Sequence, residues 1–205
     1  MLKIYGRDTS SNVQKALWLC EEIGLPYTTL HDVPPGKAAS DDYKRINPNG
    51  QVPTIDEDGF VLWESNAIVR YLAAKHASGT IFPADLRARA NADRWMDWQA
   101  TVLAPHTTVV LYQTLRATPE NKNPAAHQAA AQALREKSAI LDAALKGKAF
   151  VTGDEFTIAD IALGQWVRRY AELVENRPAQ PYLMAWYTRL QGREPYRKIV
   201  MKKLV

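Results

Sequence analysis

A proline that enters a strand, followed by a tight hairpin and a helix, constrains the fold more than any other feature. Pro53 stands in the stretch Asn49–Ile55. Because proline lacks an N–H and cannot donate to a sheet ladder, Pro53 is expected at a strand start or edge, leaving the Val52 main chain to pair with an extended peptide. Asp58-Gly59 then predicts a hairpin turn into a second strand over residues 60–63.

The hairpin leads into a helix N-terminus that carries an acid-serine pair. Glu64 and Ser65 precede an apolar helical pattern that continues to Leu72. The serine hydroxyl, the free amides of the first turn and the positive end of the helix dipole all favour a carboxylate there. Glu64 supplies a negative partner for an ammonium group. Together the two residues are expected to hold the zwitterion of an amino acid.

The order of predicted elements indicates an α+β chain of two domains. Strands over residues 3–5 and 27–33 flank a helix whose apolar stripe runs from Val13 to Gly24, and the hairpin and the Ser65 helix complete a β-α-β-loop-β-β-α order. The loop 34–49 is rich in Pro, Gly, Ser and Asp and is expected to be mobile. The later patterns are all helical: residues 90–103, 105–115, 124–145, 157–174 and 181–190. We therefore predict a first domain over residues 1–78, a linker over 79–85 and an all-helical domain over 86–205.

Composition excludes several classes of protein. With 205 residues, 46% of them hydrophobic, the chain can bury a sizeable core. No apolar run approaches the roughly 18 residues of a membrane span, and the N-terminus lacks a secretory signal, so a cytoplasmic location is expected and membrane association is not. The net charge is only +4, and the basic residues are dispersed apart from a C-terminal group that is expected to form an amphipathic, solvated tail. Nucleic-acid binding is therefore not expected.

Cysteine and histidine usage argues against redox pairs and metals. Cys20 is the single cysteine, which excludes an internal disulfide, and the four histidines show no metal-ligand spacing. Cys20 lies on the apolar stripe of the first helix, which indicates core packing. Thr157 and Asp160 have the spacing of a capping box, so we assign Asp160 a buried structural role rather than a catalytic one.

Taken together, these motifs resemble those of the cytosolic glutathione transferases, over nearly the whole chain. The residues that carry the resemblance are Val52-Pro53, Glu64-Ser65, Thr157–Asp160, Ile81-Phe82-Pro83 and Thr9-Ser10-Ser11. The resemblance implies a thioredoxin-like N-terminal domain of βαβ-ββα order and an all-α helical bundle after it. The pattern is similar to the bacterial members and to the theta, delta and zeta branches, which activate the thiol with a serine.

For catalysis, the resemblance places the activating hydroxyl in the loop after the first strand. Ser10 is the first candidate, Ser11 and Thr9 are alternates, and Asn12 is a further member of the loop. A hydroxyl that donates to sulfur stabilises the thiolate over the thiol, and a helix N-terminus adds to that effect. Tyr5 matches the position of a catalytic tyrosine in other branches and is a weaker alternative.

For binding, the resemblance implies that three groups of residues each contact a different part of glutathione, which is the co-substrate. The main chain of Val52, before a proline that is cis in the family, pairs with the cysteinyl backbone. Glu64-Ser65 holds the γ-glutamyl end. Gln51, with Lys37 or Lys44, contacts the glycyl carboxylate, and no metal is implied.

The resemblance also implies a second substrate and a partner subunit. The second substrate is a small, mostly hydrophobic electrophile bound against the first helices of the helical half, and the family forms homodimers. The candidate residues for this substrate are Thr107, Leu111, Tyr112 and Trp166, with Met96, Thr101, Thr108 and Tyr170 as further possibilities.

The function implied is a detoxifying transferase that joins the glutathione thiolate to an alkyl or aryl electrophile. Two alternatives stay open. The first is a glutathione-dependent disulfide oxidoreductase or peroxidase, since Thr9 and Asn12 resemble the loop of relatives with that activity. The second is a non-catalytic module that binds glutathione or another ligand, which would not need the set Ser10, Pro53 and Glu64-Ser65.

Overall fold

A computed structural model describes residues 1–30 and 40–205 and divides the chain into two compact units. The first comprises residues 1–82 together with 194–203, and the second comprises residues 83–193 together with 204–205. The boundary at Phe82 and Pro83 falls inside the linker expected at residues 79–85. The sequence had assigned everything after residue 85 to the helical half, whereas residues 194–203 belong to the first unit.

The first unit is a four-stranded mixed sheet with helices. Its elements in chain order are β1 (Leu2–Tyr5), α1 (Ser11–Ile23), β2 (Tyr27–Leu30), α2 (Asp41–Ile46), β3 (Thr54–Glu57), β4 (Phe60–Trp63) and α3 (Ser65–His76). The strand order is β2-β1-β3-β4, with β1 parallel to β2 and the other pairs antiparallel. The expected strand 27–33 is present over Tyr27–Leu30, and its last three residues lie outside the described part.

The second unit is helical. Its elements are α4 (Leu86–Trp98), α5 (Ala104–Leu111), α6 (Pro124–Leu145), α7 (Ile158–Leu173) and α8 (Pro181–Gln191). π-helical turns at Gln99–Leu103 and Tyr112–Arg116 extend α4 and α5, and a short 3₁₀ turn covers Pro119–Asn121. A last helix, α9 (Glu194–Ile199), belongs to the first unit. Among the described residues, no helix is long and apolar enough to cross a membrane.

Helix α1 is the central element of the first unit. Its residues from Val13 to Cys20 are all buried, because the helix packs against β1, α3 and α9. The Trp18 and Tyr196 rings pack edge to face with their centroids 4.8 Å apart, and this contact joins α1 to the C-terminal helix. Gly24 ends α1 with φ 65°, a left-handed conformation that glycine adopts without strain.

The C-terminal basic segment is amphipathic, as expected, but its apolar side is buried in the first unit, so the segment is only partly solvated. Tyr196 is fully buried in the first unit, and two lysines pair with carboxylates beside or on α1. Lys198 Nζ lies 2.7 Å from Glu21, and Lys202 Nζ lies 2.6 Å from Asp8. The segment is therefore held on the first unit rather than free in solvent, because Ile199 and Val200, which lie between these lysines, are buried.

The loop 34–49 also departs from expectation in its described part. Residues 41–46 form α2, which Ser40 caps by accepting a hydrogen bond from the Tyr43 amide at 3.3 Å. Asp41 and Asp42 in the first turn favour the positive end of the helix dipole. A short helix in polar sequence offers too few apolar positions for periodicity to detect it.

In the helical unit, the expected capping box at the start of α7 is confirmed. Asp160 accepts hydrogen bonds from the amides of Thr157 at 2.9 Å and Val151 at 3.0 Å, and from the indole N–H of Trp186 at 2.8 Å. Burial nevertheless raises the pKa of Asp160 to about 6, because removing the carboxylate from water outweighs these donors. Asp160 is therefore a structural group of the helical core.

Candidate functional site

The segment before β3 is held by two buried residues of the α2 region. Tyr43 donates to the Gln51 carbonyl at 2.8 Å, and Asn47 donates to the same carbonyl at 2.7 Å. Both side chains also reach the buried Thr54 hydroxyl, at 2.8 and 3.1 Å. The Val52-Pro53 peptide bond between these anchors is cis. Pro53 thus stands at the start of a strand, and the main chain of this segment is held in one geometry.

These residues and the start of α3 line one concave pocket in the first unit. Five of the residues predicted from the sequence take part: Gln51, Val52, Pro53, Glu64 and Ser65. Asn12, a further candidate from the sequence, lines the same pocket, and the structure adds Asn47 and Asn49. Of the two lysines predicted for the glycyl end, Lys37 lies outside the described residues, and Lys44 is an exposed residue of α2 that does not line this pocket.

Glu64 has an unusual backbone conformation at the edge of this pocket. Its φ of 72° and ψ of 113° lie in a region that residues other than glycine rarely adopt. Such strain persists only where the surroundings determine it, and it clusters at functional sites. The Glu64 side chain is exposed and does not cap its own helix, so its carboxylate faces solvent at the pocket.

Ser65, the first residue of α3, is buried and connected to α1. Its hydroxyl accepts a hydrogen bond from Lys15 Nζ at 3.3 Å and donates to Asn12 Oδ1 at 3.3 Å. Lys15 also donates to Asn66 Oδ1 at 3.1 Å. The N-terminus of α3 therefore combines the positive end of the helix dipole, a hydroxyl and a nearby ammonium, a set that suits a carboxylate ligand.

Gly6 brings the loop after β1 close to the Val52 segment. Its φ is 131°, and a Cβ at this position would lie 2.6 Å from Val13 Cγ2 and 2.9 Å from Val52 Cβ. Only glycine allows this approach without displacing one of the two valines. The loop that bears the candidate hydroxyls is thus packed beside the proline edge.

The structure places the candidate hydroxyls at the start of α1. Ser10 is the N-cap residue, yet its side chain makes no capping hydrogen bond, and Ser11 is the first helical residue. Both are half-buried, whereas Asn12 is exposed and lines the pocket. The choice of thiol-activating residue between Ser10 and Ser11 stays a prediction.

Cys20 has the environment of a core residue. Its side chain is fully buried, and burial raises the pKa of its thiol to about 12. A thiol of this kind is neither nucleophilic nor accessible at neutral pH. Among the described residues, no group of three or more His, Cys, Asp or Glu side chains could hold a metal ion.

The residues predicted to contact the electrophile lie in the helical unit in different environments. Thr107 and Leu111 are half-buried on α5, and Thr107 donates to the Leu103 carbonyl at 2.8 Å. Tyr112 is 41% exposed. Trp166 is 1% exposed, and its ring stacks on the Tyr170 ring with the centroids 5.1 Å apart. Trp166 therefore packs in the helical core, and the structure gives no support to its predicted contact with the substrate.

Comparison with known proteins shows the family. Residues 9–75 match the family model of the glutathione S-transferase N-terminal domain, and residues 102–194 match that of the C-terminal domain. The chain belongs to the glutathione S-transferase family.

Individual relatives cover almost the whole chain. Glutathione S-transferase GstB of Escherichia coli strain K12 is 36% identical over 212 residues, which span 98% of each protein. The crystal structure of a theta class glutathione S-transferase from Xanthomonas axonopodis pv. citri, with glutathione bound, is 39% identical, covers 100% of this chain and 99% of its own, and superposes with a TM-score of 0.94. Human glutathione S-transferase theta-1 is 30% identical over 78% of this chain and 70% of its own.

These comparisons confirm three expectations from the sequence: the bacterial glutathione transferase resemblance, the two-domain fold and the glutathione transferase function. The identity of the residue that activates the thiol, and of the residues that bind each part of glutathione, stays a prediction. So do the homodimer and the cytoplasmic location.

Proposed function

We propose that this transferase binds reduced glutathione in the pocket between residues 51–53 and 64–65. Ser10, or its neighbour Ser11, then stabilises the thiolate for attack on a small, mostly hydrophobic electrophile. The observation that carries the proposal is that the proline edge and the acid-serine pair, separate in sequence, line the same pocket.

The pocket offers complementary groups for each part of the tripeptide. The Val52 main chain pairs with the cysteinyl backbone, and Tyr43 and Asn47 support this segment through the Gln51 carbonyl. The α-carboxylate of the γ-glutamyl group lies at the α3 N-terminus, and its ammonium faces Glu64. The Gln51 side chain contacts the glycyl end, with Lys37 as a further donor outside the described residues.

Catalysis requires that the bound thiol lose its proton near neutral pH. A serine hydroxyl that donates to sulfur, together with the positive end of α1, stabilises the thiolate and lowers the thiol pKa. Each unit by which the pKa falls corresponds to about 1.4 kcal/mol of differential stabilisation. The proton leaves to solvent.

The thiolate then attacks the electrophilic carbon. A C–S bond forms while the bond to a halide leaving group breaks, or the thiolate adds to an activated double bond that afterwards takes a proton from water. Holding both reactants in one site makes the encounter effectively intramolecular, which supplies much of the acceleration.

The proposal is tested by calorimetric titration with glutathione, combined with the ultraviolet absorbance of the bound thiolate across pH. Wild type is expected to bind glutathione and form thiolate at neutral pH. Ser65→Ala should lose most of the binding, because the carboxylate loses its hydroxyl donor. Either Ser10 or Ser11 activates the thiol. The alanine variant at that serine should still bind glutathione but should not form thiolate.

Ser78→Ala is the matched control, because Ser78 is an exposed serine of the same unit outside the pocket. It should bind and ionise glutathione as wild type does. A wild-type protein that binds no glutathione would refute the proposal and favour a binding module for another ligand.

A second candidate activity is glutathione-dependent disulfide reduction. Asn12 supports it, because this residue of the first turn of α1 lines the pocket and its side-chain oxygen accepts a hydrogen bond from Ser65. Turnover of a mixed disulfide of glutathione, with little turnover of aryl halides, would favour this activity. Preferential turnover of aryl or alkyl halides would favour conjugation.

The proposal extends to assembly, location and metal dependence. We propose a cytoplasmic homodimer whose reaction needs no metal. Three apolar side chains of the edge strand β4 are unusually exposed, which supports an interface between subunits: Phe60 at 48%, Val61 at 39% and Trp63 at 38%. Sedimentation equilibrium measures the assembly, and activity that persists in EDTA supports the metal-free reaction.

A further inference from the structure

A buried lysine stands directly behind the candidate carboxylate site. Lys15 on α1 is 3% exposed, and its ammonium donates to Ser65 Oγ at 3.3 Å and to Asn66 Oδ1 at 3.1 Å. Lysine is almost never fully buried, because removing its charge from water is costly. The charge is nevertheless placed beside the first turn of α3.

The hydrogen bonds give Lys15 two effects on Ser65. First, the ammonium occupies a lone pair of Ser65 Oγ, so the hydroxyl proton must point elsewhere. In the structure it points to Asn12, which itself lines the pocket. Second, the ammonium adds a full positive charge to the partial charge of the α3 N-terminus. Because the ammonium stays on that lone pair, the hydroxyl can exchange Asn12 for a ligand carboxylate as its acceptor, and the added charge favours such an anion in front of Ser65.

We propose that Lys15 is a positioning and specificity residue that makes the pocket select ligands with a carboxylate next to Ser65. The inference rests on the proposed function, in which the γ-glutamyl α-carboxylate of glutathione occupies that place. Lys15 acts through Ser65 and through its charge, and it is the source of the preference for a γ-glutamyl end over an uncharged acyl end.

A purely structural role for Lys15 predicts something different. Its bonds to Ser65 and Asn66 also connect α1 to α3, so its removal could loosen both helices. A looser pocket would bind every ligand less tightly, with or without the carboxylate. A charge effect would weaken only ligands that carry it.

The experiment compares two ligands with wild type and neutral variants. Glutathione and γ-aminobutyryl-cysteinylglycine differ only in the α-carboxylate, which the second lacks. Lys15→Gln keeps a hydrogen-bond donor and removes the charge, and Lys15→Arg restores the charge. Lys148→Gln, a change at an exposed lysine of the helical unit, controls for net charge. Calorimetry gives the four proteins' Kd for both ligands, and thermal melts report folding.

Wild type and the Lys148→Gln control are expected to prefer glutathione over the analogue. Lys15→Gln should weaken glutathione binding by about tenfold, equivalent to about 1.4 kcal/mol. Its Kd for the analogue should stay within about twofold of wild type. Lys15→Arg should recover most of the preference. If Lys15→Gln does not fold, Lys15→Met provides the same comparison.

Equal weakening of both ligands, or an undiminished preference in the neutral variants, would overturn the inference while leaving glutathione binding intact. A wild-type protein that binds neither ligand would instead refute the proposed function. The two failures are therefore distinguishable in one set of titrations.

Discussion

The ammonium of Lys202 lies 2.6 Å from a carboxylate oxygen of Asp8, which joins the C-terminal segment to the loop after β1. Asp8 stands two residues before Ser10, the first candidate for thiol activation. The ion pair thus links a distant part of the chain to the loop that leads to the candidate hydroxyls. Both side chains are more than a third exposed, at 39% and 36%, so the pair contributes little to global stability.

We predict that Lys202→Ala lowers kcat by a few-fold at low salt and changes the free energy of unfolding by less than about 1 kcal/mol. The loop samples more conformations without the ion pair, so the hydroxyl spends less time in its reactive position. High salt should reduce the difference from wild type, because salt screens exposed charges. Lys203→Ala, at an exposed neighbouring position, is the control. Equal rates for the two variants would contradict the prediction.

Gly6→Ala is predicted to be strongly destabilising, by about 2 kcal/mol or more, since the new Cβ overlaps Val13 and Val52 and the backbone is strained. Glutathione affinity should fall with it, because Val52 must move. Gly153→Ala separates the two causes: its φ of 153° is also positive, but nothing lies within 4 Å of the added carbon. Denaturant unfolding measures both variants. Equal losses would show that backbone strain alone accounts for the effect at Gly6.

The raised pKa of Asp160 predicts an unusual pH dependence for a carboxylate. Its pKa is about 6 in the folded chain, above the ordinary 3.8, so the folded state holds this proton more tightly than the unfolded state. The contribution of Asp160 to stability is therefore greatest below pH 3.8 and decreases as pH rises to about 6, by an amount on the order of 3 kcal/mol.

Asp160→Asn removes that titration and serves as its reference. The difference in unfolding free energy between wild type and the variant should shrink as pH rises from about 4 to about 6, and should stay constant above. The comparison cancels the other carboxylates, such as Glu57, whose lowered pKa values act in the opposite direction. A difference that grows with pH would mean that the three N–H donors outweigh burial.

Cys20 is predicted to be inert in the native protein. Its pKa near 12 and its burial leave almost no thiolate at neutral pH. A thiol reagent should label it only after denaturation, and Cys20→Ala should retain transferase activity. Rapid labelling of the folded protein, with parallel loss of activity, would contradict this.

The residues that line the candidate site could be predicted from the sequence better than the residues that hold them in place. Pro53 and Ser65 are informative in the sequence because each changes what the backbone can do: one cannot donate to a sheet, and the other begins a helix. Lys15 gave no such signal. Periodicity treats a lysine as a solvent-facing residue, whereas α1 is covered on all sides by β1, α3 and α9, and burial of that kind depends on tertiary packing.

The prediction of helices from the sequence is limited in the same way, because short helices depend on tertiary contacts. Helix α6 begins and ends at Pro124 and Leu145 as predicted, because Asn123 caps it and a long apolar stripe marks its length. The short helices α2 and α9 were missed. Six residues complete fewer than two helical turns, so their local pattern is weak, and contacts such as Tyr196 with Trp18 stabilise them from distant parts of the chain.

Because residues 194–203 belong to the first unit, that unit cannot be completed until nearly the whole chain has been synthesised. The ribosome releases residues 1–82 early, but the surface of α1 that Tyr196 covers waits until almost the entire chain has emerged. Apart from its last two residues, the helical unit is complete at Arg193. The helical unit, although translated later, can therefore finish packing before the unit that contains the candidate glutathione site.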